Sequence, residues 1–280
     1  MKAATCHAIS TAAGNALTPS RNERGPAVPR LRRSNVSPLL FGLRCRSPRS
    51  PVMPGFAARP FRLSGPCTLP AGDQPLSLLF DEPQLVRSLE RLPLALRVVF
   101  AASCAERLIS TYDSYSNRTG RGDTAALRGI LNRLWDDLSG HRMTEGEVHA
   151  KIRACEDLHP REEDRPWVPE KDYAEDAVAA AAYALRCREN GSSQEAAWAS
   201  RRAYEALDSY VIERNDPDLQ TDQGETQVLT DPLVQAELAR QHRDLDELLL
   251  VLPGDQMKAV RRFQQRATEE SPTFFGPMSL

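Results

Sequence analysis

A small set of charged and hydroxyl side chains offers the best candidate for chemistry in this sequence. Glu106 and Arg107 are adjacent in a strongly apolar segment, which predicts a helix buried at the centre of a bundle. Buried charge is costly unless each ion finds a partner, so this pair predicts either an internal salt-bridge network or a ligand site. The candidate functional or structural charged cluster comprises Glu106, Arg107, Tyr112, Asp123, Asp136 and Asp176.

The two interpretations of this cluster differ in what pairs with the buried ions. In the structural interpretation, Asp136, Asp137 or Asp176 neutralises the pair and the network holds the helices in register. In the functional interpretation, the pair lines an anion or ligand site at the turn Thr119-Gly120-Arg121-Gly122-Asp123. Asp123 is predicted to cap the helix after this turn, and its carboxylate would occupy the amides that an anion needs.

Metal binding is expected to be absent because the ligands are too few. Glu156 and His159 have the Glu-x-x-His spacing of di-iron bundles. Cys155 and His149 are close to them in the sequence, yet a di-iron site needs two such pairs and two further carboxylates, and Pro160 ends the helix. The sequence has no Walker loop, nucleophile elbow, His-Glu-x-x-His or paired Cys-x-x-Cys. We therefore expect no catalytic residue, no bound metal and no cofactor.

Charge divides the chain into two unequal parts. Residues 1–72 hold eleven basic residues, one acidic residue and ten of the 21 prolines, a net charge of +10. This composition predicts a disordered arm, because proline interrupts helices and no apolar core is available. Three interpretations of the arm are open: an organelle transit peptide, an arm that gathers nucleic acid or anionic lipid by charge, and translated leader sequence before a start near Met53.

Residues 73–280 hold 25 basic and 37 acidic residues, a net charge of −12, and are predicted to form one all-α domain. From Asp81 onward the apolar residues recur at helical spacing, and no stretch alternates as a strand does. The expected architecture is a single bundle of about eight helices, with residues 214–229 as a polar linker. Helix starts are predicted at Asp81, Asp123, Thr144, Asp172, Ser192 and the Thr230-Asp231-Pro232 stretch.

A run of motifs near the middle of the chain carries a family resemblance. The run Cys104-Ala105-Glu106-Arg107-Leu108-Ile109-Ser110-Thr111-Tyr112-Asp113-Ser114-Tyr115 is followed by Thr119-Gly120-x-Gly122-Asp123, then by Ile130-Leu131 and Trp135. This pattern resembles the YjaG-like bacterial proteins, domain of unknown function family 416, over roughly residues 89–252. The resemblance implies an all-helical cytoplasmic protein and carries no established activity. Ser110 stands where relatives often have proline, and Leu238 and His242 stand where relatives carry aromatic residues.

The missing catalytic motifs and the acidic charge favour a non-enzymatic cytoplasmic protein that binds another protein through an acidic surface. The expected partner is a basic protein, in an immunity-like or regulatory role, and widely spaced cysteines favour reduced thiols. The alternative is a small-molecule-binding or catalytic domain with a site around Glu106 and Arg107. No membrane partner is expected, and nucleic acid is expected only if residues 1–72 are genuine.

Overall fold

A computed structural model describes residues 77–161 and 168–271 of the 280-residue chain. Within these ranges the chain forms nine α-helices, a 3₁₀ turn at Pro253–Asp255 and no strand, which confirms the all-α prediction. The predicted arm, residues 1–72, lies outside the described residues. The helices are α1 (Glu82–Glu90), α2 (Leu94–Thr119), α3 (Thr124–Leu138), α4 (Glu145–Asp157), α5 (Glu170–Asn190), α6 (Ser193–Asn215), α7 (Asp222–Leu229), α8 (Pro232–Leu249) and α9 (Gln256–Glu270).

Helix α2 is the central helix of the bundle, as its apolar sequence predicts. It is buried on all sides through its middle turns and packs against α3, α5, α6, α8 and α9. Its contact with α5 is the most extensive, because α5 presents small side chains such as Ala174, Ala177 and Ala181 that let the two helices approach closely. The charged pair of α2 is therefore placed in the interior. No helix in the described part of the chain is long and apolar enough to cross a membrane.

Most helix starts lie where the capping residues predict them. Side-chain oxygens accept from the backbone amides of the first turn at Asp81, Asp123, Thr144, Ser192 and Asp231. The prediction at Asp172 is wrong: α5 begins two residues earlier, at Glu170, directly after Pro169. Proline suits a helix start because its φ, −55° here, is already helical and its missing N–H is one that a helix start leaves unpaired.

The predicted polar linker contains a helix, α7. Thr221 caps it by accepting from the amide of Gly224 at 3.1 Å. Only Gly224 and Val228 of α7 are buried, so its apolar pattern is too weak to reveal a helix. Gly224 packs directly on the preceding loop, because an added Cβ there would overlap the backbone carbonyl of Asp218.

Candidate functional site

The Arg107 guanidinium lies in a sealed ion cluster between α2, α8 and α9. Its Nε and Nη2 donate to the two carboxylate oxygens of Glu237, at 3.1 and 2.8 Å. Its Nη1 donates to Oδ2 of Asp244 at 2.9 Å and lies 3.7 Å from a carboxylate oxygen of Glu270. Arg107 has no exposed surface. We call Arg107, Glu237, Asp244 and Glu270 the Arg107 cluster; its carboxylates neutralise the buried cation, and Glu270, 17% exposed, lies on its solvent side.

Helix α8 supplies two carboxylates of the Arg107 cluster because positions seven residues apart lie on one face of a helix. Gln241 lies between them and donates to Oε1 of Glu237 at 2.9 Å. Arg243 and Arg266 each donate to Oδ1 of Asp244 at 2.9 Å. Every carboxylate oxygen of Glu237 and Asp244 therefore accepts at least one hydrogen bond, which a buried carboxylate requires.

The electrostatics of the Arg107 cluster favour fixed charges over proton transfer. Burial alone would lower the pKa of Arg107, but Glu237 and Asp244 outweigh it and hold that pKa well above its ordinary value. The Cys104 sulfur lies 3.5 Å from Nη2 of Arg107. Burial raises the pKa of the Cys104 thiol to about 12, so this cysteine is a neutral thiol rather than a nucleophile.

Glu106 faces a second set of partners, on α3 and α9. Arg128 donates to its Oε1, and the Trp135 indole donates to its Oε2 at 3.2 Å. The Thr268 hydroxyl donates to Oε1 at 3.3 Å. Because Glu106 is only 1% exposed, these donors replace its water shell. The adjacent charges Glu106 and Arg107 thus tie α2 to different neighbours.

The three carboxylates expected to neutralise this pair have other surroundings. Asp136 is exposed on α3. Asp137 is buried and accepts from Nε and Nη2 of Arg188, at 2.6 and 3.2 Å, and from the Met143 amide at 2.5 Å. Burial would raise the pKa of Asp137, but these hydrogen bonds lower it below its ordinary value. Asp176 pairs with an arginine of α6 instead. The candidate cluster is therefore spread over several places in the fold.

Tyr112 and Asp123 meet at the glycine-rich turn between α2 and α3. The Tyr112 hydroxyl donates to the Leu158 carbonyl at 3.0 Å and accepts from the Asp123 amide at 3.3 Å. Gly122 has a φ of +79°, and an added Cβ would lie 2.8 Å from the Tyr112 oxygen. Oδ1 of Asp123 accepts from the Ala126 amide at 2.9 Å, so its carboxylate occupies the helix start. The geometry gives this turn a packing and capping role.

Asp176 lies at the edge of an open groove between α4, α5 and α6. The groove measures about 440 Å³, and charged side chains line most of it. Nη1 of Arg202 donates to Oδ1 of Asp176 at 3.2 Å and also contacts Glu205 at 3.0 Å. Burial raises the pKa of Asp176 to about 7 despite Arg202. Among the six candidate residues, Asp176 is therefore the carboxyl that combines access to a groove with a proton affinity suited to neutral pH.

The Glu-x-x-His pair lines the same groove. Arg186 donates to Oε1 of Glu156 at 3.1 Å, and burial lowers the pKa of His159. His149 instead contacts Glu189 on α5, at 2.8 Å. Within residues 77–161 and 168–271, no three histidine, cysteine or carboxylate side chains come together as metal ligands.

Several exposed acidic side chains lie between the end of α6 and the middle of α7. Residues 205–231 contain eight acidic residues and one basic residue. The basic residue, Arg214, donates to Asp231 at 2.8 Å, beside the start of α8. The excess of acidic residues can be counted in the sequence, but the prediction of a linker at residues 214–229 gives this segment no binding role. We call the exposed set Glu213, Asp216, Asp218, Leu219, Asp222 and Glu225 the acidic corner.

The fold and these sites define an all-helical protein with a paired ionic interior and an acidic outer corner. A family model described as "Protein of unknown function (DUF416)" matches residues 84–273, and the chain belongs to this family. The crystal structure of a DUF416 family protein from Shewanella baltica OS155 aligns with a TM-score of 0.58 and 20% identity. The alignment covers 66% of this chain and 93% of the Shewanella chain, and it shows a common fold. A search of curated proteins finds no match.

Proposed function

We propose that this chain is a non-enzymatic cytoplasmic module that binds a basic protein through the acidic corner. The observation that carries the proposal is the excess of exposed carboxylates on α7 and the loop before it. Arg214, the one basic side chain in this stretch, is directed to Asp231 and stacks over the Tyr210 ring. The negative field of the corner is therefore available to a partner, and complementary charge accelerates encounter.

The backbone of the acidic corner is held in one shape, which favours specific binding. The Asp218 carbonyl accepts from both the amide and the hydroxyl of Thr221, at 3.1 and 2.8 Å. Gly224 packs against the same carbonyl, and Asp216 ends α6 in the left-handed conformation at φ +45°. A surface that is already ordered loses less conformational entropy when it binds.

Charge reversal at the acidic corner tests this proposal. The variant Asp222→Lys with Glu225→Lys changes two exposed side chains on α7, and Glu90→Lys with Glu145→Lys is a matched control on α1 and α4. In a pull-down from native lysate at low salt, the wild type and the control should retain a stoichiometric basic protein that the corner variant loses. Equal recovery by all three proteins, or no stoichiometric partner, contradicts the proposal.

A second candidate is a small-molecule or catalytic site, and the Asp176 groove favours it. A site around Glu106 and Arg107 would be closed to solvent, since these residues are 1% and 0% exposed. The Asp176 groove is open, and it places a carboxyl with a pKa of about 7 beside Arg186 and Arg202. Arg186 and Arg202 each pair with a carboxylate of the protein, and a small carboxylate or phosphate that binds here takes the place of these carboxylates on the two guanidinium groups.

Titration with acetate and inorganic phosphate tests the Asp176 groove. Both anions should raise the melting temperature of the wild type more at pH 6 than at pH 8, because a neutral Asp176 does not repel them. Arg202→Met should lose this stabilisation, whereas Arg118→Met, at an exposed ion pair with Glu170, should retain it. A shift that is equal in all three proteins indicates unspecific ion effects and removes the candidate.

A further inference from the structure

The turn between α8 and α9 exposes apolar side chains at a second corner of the molecule. Leu250 is 80% exposed and Leu252 is 66% exposed, and Met257 in the first turn of α9 is also exposed. Together with the exposed Lys258 and Arg261 they form what we call the basic-apolar corner. It borders a cavity of about 660 Å³. Adjacent exposed apolar side chains of this kind mark interaction surfaces.

The charge beside these apolar side chains is positive. Residues 255–268 contain four basic residues and one acidic residue, Asp255, in a domain whose net charge is strongly negative. Glu247 contacts two of the four, Arg262 at 3.1 Å and Arg266 at 2.8 Å, and Arg266 also contacts Asp244 at 2.9 Å. Lys258 pairs with Asp255 at 2.9 Å in a contact open to solvent, and Lys258 and Arg261 are both exposed on α9. An occupant of this corner should therefore offer an apolar side chain surrounded by carboxylates.

The acidic corner of the same chain has this chemistry. Leu219 is 41% exposed at its centre, between Asp218 and the carboxylates of α7. The acidic corner does not lie next to the basic-apolar corner of the same molecule. Arg214 and Asn215, at the end of α6, hydrogen bond to Asp231, which caps the start of α8. The acidic corner thus lies at the beginning of α8.

The basic-apolar corner lies at the other end of α8. Helix α8 has 18 residues, which at 1.5 Å per residue separates its two ends by about 27 Å. The two corners of one molecule are therefore too far apart to contact each other. The acidic corner of one molecule can instead contact the basic-apolar corner of a second molecule in the same orientation.

We infer that the basic partner of the acidic corner is a second copy of this chain, bound through its basic-apolar corner. The inference rests on the function proposed above, because it uses the acidic corner as the binding surface. Leu219 of one copy packs against Leu250 and Leu252 of the next, and the carboxylates around Leu219 pair with Lys258 and Arg261. Since the two surfaces differ, each copy keeps one corner open, and the assembly extends beyond a dimer or closes into a ring.

Two variants that each block one corner test this arrangement. Leu250→Ser with Leu252→Ser blocks the basic-apolar corner, and Leu219→Ser with Glu225→Lys blocks the acidic corner. All four side chains are exposed, so both variants should fold normally. Leu79→Ser with Glu145→Lys is the matched control, with one exposed leucine and one exposed first-turn glutamate elsewhere. In sedimentation velocity at rising concentration and low salt, the wild type and the control should form species larger than a dimer, and each blocked variant should remain a monomer.

Mixing the two blocked variants gives the decisive measurement. Each variant retains one functional corner, so an equimolar mixture should form a 1:1 heterodimer and nothing larger. The inference is overturned if the wild type remains a monomer, if the mixture forms no heterodimer, or if wild-type oligomers persist in either blocked variant. Binding of a monomeric wild type to anionic vesicles, lost in Leu250→Ser with Leu252→Ser, also overturns it by identifying a different occupant.

The two proposals fail in different ways. If the wild type is a monomer but its basic partner from lysate is lost on charge reversal of the acidic corner, the protein-binding function stands and the second copy is the wrong partner. If neither self-association nor partner capture depends on the acidic corner, both proposals fail.

Discussion

The Arg107 cluster and the Asp176 groove contain the same chemical groups in opposite settings. Arg107 is fully buried and donates to two carboxylates, with a third 3.7 Å away. In the groove, the Arg202 side chain is 36% exposed and that of Asp176 is 14% exposed. The pKa of Arg107 is held high, whereas burial brings the pKa of Asp176 to about 7. Several paired charges keep Arg107 ionised, whereas burial outweighs the single arginine beside Asp176 and raises the pKa of that carboxyl to about 7.

The largest effect is expected from removing the cation of the sealed site. Arg107→Met leaves Glu237 and Asp244 buried without their central partner, and such losses destabilise proteins by about 3–5 kcal/mol. Urea unfolding followed by circular dichroism should show this decrease. Arg118→Met removes an exposed ion pair with Glu170 and should lower the free energy of unfolding by about 0–1 kcal/mol. Equal costs at the two positions would show that the Arg107 cluster is not a sealed structural site.

The sequence predicts the positions of the helices and the burial of the α2 pair, because both follow from local patterns. Apolar periodicity identifies α2, and capping side chains identify the starts of α3 and α4. Local patterns do not reveal the partners of Arg107, since Glu237 and Asp244 are 130 and 137 residues away along the chain. Their seven-residue spacing predicts that both carboxylates lie on one face of α8, but it does not identify the helix that this face contacts.

The same limit applies to the candidate site. The sequence identifies Asp176 as a charged residue of interest, but its pKa near 7 results from burial that exists only in the folded chain. The acidic corner was present in the composition of residues 205–231. The polar composition of residues 214–229 predicts a linker, and α7 within it buries only Gly224 and Val228. Short helices with little core contact leave too weak a pattern for prediction.

An intermediate effect is expected from double-mutant cycles at the two sites. Arg107→Met combined with Glu237→Leu should cost less than the sum of the single variants, with a coupling of about 0.5–3 kcal/mol, because each single variant leaves a buried charge unpaired. The cycle of Arg202→Met with Asp176→Leu should show coupling at the lower end of this range, since solvent screens the pair. Urea unfolding of the six variants and the wild type gives both values. A larger coupling in the groove than in the Arg107 cluster would reverse the comparison.

A pH dependence is also expected from one carboxyl of the groove. The pKa of Asp176 rises from its ordinary 3.8 to about 7 on folding, so between these values the folded state binds a proton more tightly than the unfolded state. The contribution of Asp176 to the free energy of unfolding therefore decreases as the pH rises from about 4 to about 7. Asp176→Asn should remove this decrease, measured as the difference between urea midpoints at pH 4.5 and pH 7.5.

Asp137→Asn is the matched control for this pH dependence. The pKa of Asp137 is lowered on folding, so its stabilising contribution is present above its ordinary value of 3.8 and is lost as the pH falls through its folded value. Replacing it should lower stability by a similar amount at pH 4.5 and pH 7.5. If Asp176→Asn leaves the difference between these midpoints unchanged, Asp176 is charged throughout this range and the groove is as structural as the Arg107 cluster. If the difference disappears, the groove contains a carboxyl that is partly protonated near neutral pH, which the second candidate function requires.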